Sequence, residues 1–282
     1  LVSATLPEAS KRYQWPLKNF LHRVYAPMRQ IFAINEEHAE RLRRISPLNV
    51  SIAGDTRFDA IRLRLAEGKE KQKQIEPIRR LFVGRKIIVG GSTYAASEKI
   101  ILEYLHPKPT VQKKPVVAIL APHHVHEARI SSIEALCHNF SLTALRLSQV
   151  GQSSIRKKID VLIVDSLGVL PHLYPLADVA YVGGGFEGSV HSVIEAALAG
   201  VAVVTGPFIQ NSAEAMDLQR ECLLVAMEKQ SCTLFAQIVE NLCINKIKNA
   251  RKAAAFAKER VGASQKIMHT VMDDISVNSM LA

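Results

Sequence analysis

The stretch Tyr181-Val-Gly-Gly-Gly-Phe-Glu-Gly-Ser-Val-His-Ser-Val-Ile-Glu-Ala-Ala-Leu-Ala-Gly200 decides the fold. The apolar run from Val179 to Val182 reads as a buried strand. It breaks at three glycines, and a helical pattern opens near Val190 with apolar residues at Val193, Ile194, Ala197 and Leu198. A strand, a glycine turn and a helix N-terminus in succession leave backbone N–H groups unpaired and aimed at one spot, which suits an anion such as a phosphate. Glu195 falls in the second turn of that helix, where a carboxylate can accept two hydrogen bonds from a ribose diol. The plainer alternative is that the glycines only let strand and helix pack closely and that Glu195 is a solvated charge.

The chain has 282 residues, enough for one large or two ordinary domains with real cores. Hydrophobic residues make up 48%, yet no apolar run approaches the ~18–20 residues that span a bilayer. No signal peptide is visible, and the chain reads as soluble. Cys137, Cys222, Cys232 and Cys243 form no CxxC pair and have no histidine spacing suited to zinc, so they read as buried or idle thiols. A formal charge of +10 favours a polyanionic partner: a phosphorylated substrate, an anionic membrane face or nucleic acid. Aromatic residues are only 6% and are not interleaved with the basic ones, which argues against a nucleic-acid stacking surface.

Around the glycine stretch, strands and helices alternate. The first block reads as a helix over Leu17–Tyr25, a strand Ile31–Ile34, a helix Glu36–Arg44 capped by Asn35, and a strand Val50–Ala53. Those strands need a larger sheet than this block supplies. A charged helix follows from Ala60 to Arg79. Strands are then read at Lys86–Val89, Pro115–Leu120, Leu142–Leu147, Val161–Val164, Val179–Val182, Val201–Thr205 and Cys222–Ala226, with helices between them and two more up to about Arg260. Residues Ser276 to Ala282 show no strong pattern and are read as fraying. This alternation predicts an α/β, Rossmann-like doubly wound parallel sheet.

In such a sheet, ligands bind beyond the carboxyl ends of the strands. The polar turns Gly90–Thr93, Pro122–His124, Asp165–Gly168, Gly183–Ser189 and Gly206–Asn211 all fall there and predict a lined cleft. His123, His124 and His126 head one helix and would point in different directions, which disfavours a metal site. The dinucleotide fingerprint Gly-x-Gly-x-x-Gly does not follow the first strand, and no nucleophilic triad is legible. Neither metal nor cofactor is expected.

Four motifs occur in an order found in one family: Gly54-Asp-Thr-Arg-Phe-Asp59, Asp165-Ser-Leu-Gly168, Asp178-Val-Ala-Tyr-Val-Gly-Gly-Gly185, and His191-Ser-Val-Ile-Glu-Ala-Ala197 followed by Thr205-Gly-Pro207. With them the chain resembles the carboxyl-terminal half of a Kdo transferase, the enzyme that adds 3-deoxy-D-manno-octulosonic acid to lipid A. The similarity runs from about Leu1 to about Leu218, and this version is most similar to Bacteroidetes-type members. The resemblance implies a two-domain GT-B glycosyltransferase, with residues 1–53 a remnant of the acceptor-binding domain and residues 54–282 the CMP-Kdo-binding domain.

It further implies that Pro122 and His123, where the family commonly has an arginine, contact CMP together with Leu167, Gly168, Val169, Ser192, Val193 and Ile194, with Glu195 on the ribose. Ser192 stands where asparagine is usual. Arg57 falls where a cation is thought to stabilise the transition state, an interdomain salt bridge being the alternative. The implied acceptor is a phosphorylated lipid A precursor at the cytoplasmic face of the inner membrane, reached through the amino-terminal domain. That domain's general-base glutamate has no counterpart here, and the chain opens at Leu1 without a methionine, so a fragment of a longer enzyme is expected. Two alternatives stay open: another GT-B enzyme such as a sugar-nucleotide epimerase, which would prefer UDP, and a non-catalytic nucleotide-binding module.

Overall fold

The structure, a computed structural model, describes residues 1–8, 10–46, 49–67, 69–106, 115–151 and 158–280, with backbone alone at 67, 69–74 and 274–280. The chain divides into two compact units, Leu1–Leu63 with Ala257–Ala282, and Arg64–Phe256.

In the first unit, helix α1 (Leu17–Tyr25) leads to strand β1 (Ile31–Ala33), helix α2 (Glu36–Arg43), strand β2 (Val50–Ile52) and helix α3 (Thr56–Glu67). Helix α2 starts where the sequence places it, because the Asn35 side chain accepts the His38 N–H at 3.0 Å and Glu36 and Glu37 occupy the positive first turn. Strands β1 and β2 pair in parallel, Ile31 with Val50 and Ala33 with Ile52, and Ala4 bridges the other side of Ala33. Leu6, Ile31, Leu42 and Ile45 form the small core beneath them.

The second unit begins with helix α4 (Lys69–Leu81), so the single charged helix read over Ala60–Arg79 is two helices; Gly68 between them lies outside the described residues. Then come β3 (Lys86–Thr93), α5 (Ala95–Leu105), β4 (Val116–Pro122), α6 (Glu127–Asn139), β5 (Ala144–Arg146), β6 (Val161–Ile163), α7 (Leu170–Leu173), β7 (Val179–Val182), α8 (Ile194–Leu198), β8 (Val203–Thr205), α9 (Ala213–Arg220), β9 (Leu224–Ala226), α10 (Cys232–Ile244) and α11 (Lys246–Arg260). Seven strands form one all-parallel sheet in the order β5-β6-β4-β3-β7-β8-β9. Helices on both faces explain why β3, β4, β6 and β7 are buried at nearly every position. Ile88, Leu120, Ile163, Tyr181 and Val204 on one face pack with Ile101, Ile133 and Phe235 from the helices.

Two boundaries depart from the sequence reading. Strand β3 does not stop at Val89 but carries Gly90 and Gly91 within it. A Cβ on Gly91 would lie 2.0 Å from the Tyr174 hydroxyl, so the glycine makes room for a buried phenol rather than a turn. The tail, read as fraying from Ser276, is helical through the last described residue, with Leu281 and Ala282 outside the described residues: α12 (Ala263–Met280) runs to Met280. Its first turn is held by Asp59, a partner 203 residues away that no local pattern reveals.

Candidate functional site

Strand order reverses between β3 and β7: from β3 the chain adds β4, then β5 at the edge and β6 between β5 and β4, and returns to lay β7 on β3's other side. The crevice at the carboxyl ends of that pair is where an open α/β sheet receives a ligand. A β-bulge sits there. The β3–β4 register shifts between Gly91 and Thr93, and Ser92 takes φ 49°, a left-handed conformation uncommon for a residue with a side chain. Its carbonyl is turned toward β7, where a Cβ on Gly183 would meet it at 2.0 Å.

Past the bulge, Tyr94 projects into a cluster of rings drawn from three turns. The His123 and His191 rings stack at 4.3 Å with an interplanar angle of 18°. Tyr94 lies near-parallel to both, at 5.1 Å from His123 and 5.7 Å from His191, and its hydroxyl is 3.1 Å from His191 Nε2. His124 meets His123 edge-on at 4.6 Å. Burial, and then the neighbouring His123, hold the His191 imidazole below its ordinary range. His126, by contrast, caps α6, accepting the Arg129 N–H at 3.3 Å.

Part of the backbone of the glycine turn is bonded within the fold. Gly183 N–H donates to Gly91 O, Glu187 and Ser189 donate to Gly184 O, His191 donates to Gly183 O and Val190 donates to Phe208 O. The turn closes on itself, and the helix after it starts at Ile194 rather than near Val190 and is only five residues long. Glu195 is therefore in its first turn. Burial raises the Glu195 carboxyl above the usual range, against a lowering pull from Arg64. Burial, and then the Glu195 charge, raise the phenol of Tyr174, which lies beneath Gly91.

The other residues singled out from sequence fall in the same set of turns. Pro122 ends β4, paired with Thr93, and His123 N–H donates to Thr93 O at 3.0 Å. Leu167 is 79% exposed, Gly168 has φ 77°, and Ser192 is exposed. The side chains of Val169, Val193 and Ile194 are buried in the core, so any ligand contact they make is through the backbone. The acids of the quoted motifs mostly serve the fold. Asp165 accepts the Ser148 N–H at 3.1 Å, and Asp178 accepts the Ile87 N–H at 2.8 Å and pairs with Lys246 at 2.6 Å.

Beneath the bulge lies a network the sequence reading did not find. Glu98 is wholly buried, accepts the Thr93 hydroxyl at 2.8 Å and pairs with Arg129. Burial raises its carboxyl above the ordinary range, opposed by Arg129 and Thr93. Tyr94 was missed as well, although it directly follows the turn Gly90–Thr93; what gives it a role is ring stacking across three turns, which spacing along the chain does not encode. A cavity of about 420 Å³ lies elsewhere, between α9, β9, α10 and α11, and is lined by Gln219, Asn241, Asn245, Lys248 and Lys252 among others. It holds none of the predicted site residues.

In the first unit, Arg57 is half-exposed and its guanidinium lies on Asp55, with Nη2 to Oδ2 at 2.6 Å and Nε to Oδ2 at 2.9 Å. Asp59 accepts the backbone N–H groups of Gly262 at 2.6 Å and Ser264 at 2.7 Å. Burial would raise its carboxyl, but these bonds and Arg62 outweigh that and hold it below the ordinary range. The motif Gly54–Asp59 thus contains one helix anchor and one surface cation.

No family model matches the chain. It is 28% identical over 219 residues to the 3-deoxy-D-manno-octulosonic acid transferase of Bordetella pertussis, covering 76% of this chain and 49% of that protein. The chain spans from 24% to 49% of the lengths of the first curated relatives it matches. The C-terminal CMP-Kdo binding domain of WaaA from Acinetobacter baumannii aligns with a TM-score of 0.55 at 26% identity, covering 68% of this chain and 98% of that one. UDP-GlcNAc 2-epimerase from Neisseria meningitidis gives a TM-score of 0.63 at 16% identity, covering 96% of this chain and 68% of that one, which speaks to fold alone. Sequence and fold agree: the chain is similar in sequence to 3-deoxy-D-manno-octulosonic acid transferases and in fold to the CMP-Kdo binding domain of WaaA.

Proposed function

We propose that the second unit binds CMP-Kdo at the β3–β7 switch point and that the enzyme transfers Kdo to a phosphorylated lipid A precursor. One observation supports this reading: the segments Pro122–His123, Leu167–Val169 and Ser192–Glu195 each end or follow a strand of one parallel sheet and so lie at its carboxyl edge. Glu195 is the partner of the ribose hydroxyls, since a half-buried carboxylate gains most from two O–H donors. The exposed Leu167 and the Gly168–Val169 backbone flank the base. His123, with the backbone of Ser192–Ile194, takes the phosphate. Arg57 is the cation that offsets charge on the departing CMP, a role that needs no metal.

The acceptor and the membrane face are supported by charge. Between Ser10 and Asn35 the chain has no acidic residue but carries Lys11, Arg12, Lys18, Arg23 and Arg29. Trp15 and Phe20 in this basic segment are 80% and 62% exposed. Basic side chains around exposed aromatic ones suit an anionic lipid surface.

Calorimetric titration of the chain with CMP tests the donor assignment, with UMP and Glu195→Ala as controls. The expected result is preferential CMP binding that weakens in the variant. Equal binding of CMP and UMP, indifferent to Glu195, overturns it.

A further inference from the structure

We propose that the stacked imidazoles of His123 and His191 form one phosphate seat that binds its anion with uptake of a proton from solvent. This inference rests on the donor site proposed above. It assigns a role to His191 and to Tyr94, which holds the His191 ring.

Each part follows from the geometry. At a centroid separation of 4.3 Å, charge on both rings at once would meet strong like-charge repulsion. Burial, and then the neighbouring His123, hold the half-buried His191 below its ordinary range. The Tyr94 hydroxyl occupies the Nε2 side of His191 at 3.1 Å, fixing the ring plane.

The titratable groups facing the pair are Tyr94 from the β3–α5 turn and His124 from the β4–α6 turn. Among the described residues, neither His123 nor His191 has a carboxylate within ion-pair distance. Glu98, the buried acid below, is already paired with Arg129. The Gly183, Glu187, Ser189 and His191 amides are bonded within the fold, so the rings stand beside the Ser192–Ile194 backbone as the side-chain part of the seat. A phosphate dianion therefore supplies the counter-charge the rings lack, and its arrival favours the protonated pair. The proton passes from solvent to a ring nitrogen, and no covalent bond changes.

Linkage fixes the sign. Protonation gained on binding favours the complex at low pH, and that gain is lost as the pH rises through the bound-state midpoint of the pair. Above it, CMP affinity falls by up to about tenfold per pH unit for one coupled proton. The range to use is pH 7 to 9, where the CMP phosphate, with a second pKa of about 6, stays dianionic.

The test is calorimetry of the full chain in two buffers of different ionisation enthalpy, with ring C2–H resonances followed by NMR. The ligands are CMP, UMP, cytidine and inorganic phosphate. CMP is expected to bind with net proton uptake and an upward shift of both ring midpoints, and cytidine with neither. His191→Gln and His123→Gln should each abolish the uptake, and His123→Arg should keep CMP affinity while flattening its pH dependence. CMP binding without uptake, unchanged by His191→Gln, overturns the seat and leaves the donor reading standing. Phosphate binding with uptake, alongside no preference for CMP over UMP, supports the seat and overturns the cytidine nucleotide. Absence of binding by CMP and phosphate alike, in a chain shown to be folded, overturns both.

Discussion

Gly183 and Ser92 approach so closely that a Cβ on the glycine would stand 2.0 Å from the serine carbonyl oxygen. The obstacle is backbone at a bulge between two central strands and cannot swing aside. Gly183→Ala is therefore expected to destabilise the second unit by about 1–3 kcal/mol or more. A thermal melt should show a fall of ~2–4 °C per kcal/mol. An unchanged midpoint would mean that the strands separate freely here.

Glu195 is held above the ordinary carboxylate range by burial, against the pull of Arg64. An acid raised in the folded state favours folding below its unfolded value, and that preference is lost as the pH rises through the folded one. Glu195→Gln should therefore match the parent near pH 4 and be more stable at pH 7–8, while CMP binding weakens by about 10–100-fold through loss of a charged acceptor. Melts across this pH range, paired with a CMP titration, check both halves. A variant less stable at pH 8 would make Glu195 a structural group.

Removing Arg129 strands the buried Glu98 carboxylate. Arg129→Ala is expected to cost about 3–5 kcal/mol near neutral pH, the penalty of a buried charge left unpaired. Burial already raises Glu98, so without Arg129 it protonates more readily as the pH falls. The loss should be larger at pH 8 than at pH 5 in urea titrations; a loss independent of pH would point to packing instead.

Asp59→Ala removes the acceptor at the start of α12, a change worth about 1–2 kcal/mol. The Asp59 carboxyl is lowered in the folded state, so its contribution is present above the unfolded value and lost as the pH falls through the folded one. Parent and variant melts should converge in strong acid. Amide exchange should quicken first in α12, and uniform quickening through both units would argue against a local anchor.

The sequence by itself determined the alternation of strands and helices, because apolar runs of four to six residues ended by polar turns leave a doubly covered parallel sheet as the arrangement that buries them. It also set the limits of α1 and the start of α2 at Asn35, each through a local signal: proline and an Asx cap. The turns at the carboxyl edge were legible for the same reason, since parallel strands put every such turn on one side.

Tertiary structure decided the rest. Gly91 lies inside a strand because Tyr174, far along the chain, needs the space. Helix α12 is anchored because Asp59 reaches it across the chain, and the glycine turn closes on its own carbonyls, which no glycine count foretells. Tyr94, His123 and His191 become a site only where the strand order reverses and lays β7 beside β3. Ring stacking is a contact between turns, and the sequence records each turn without recording which turns meet.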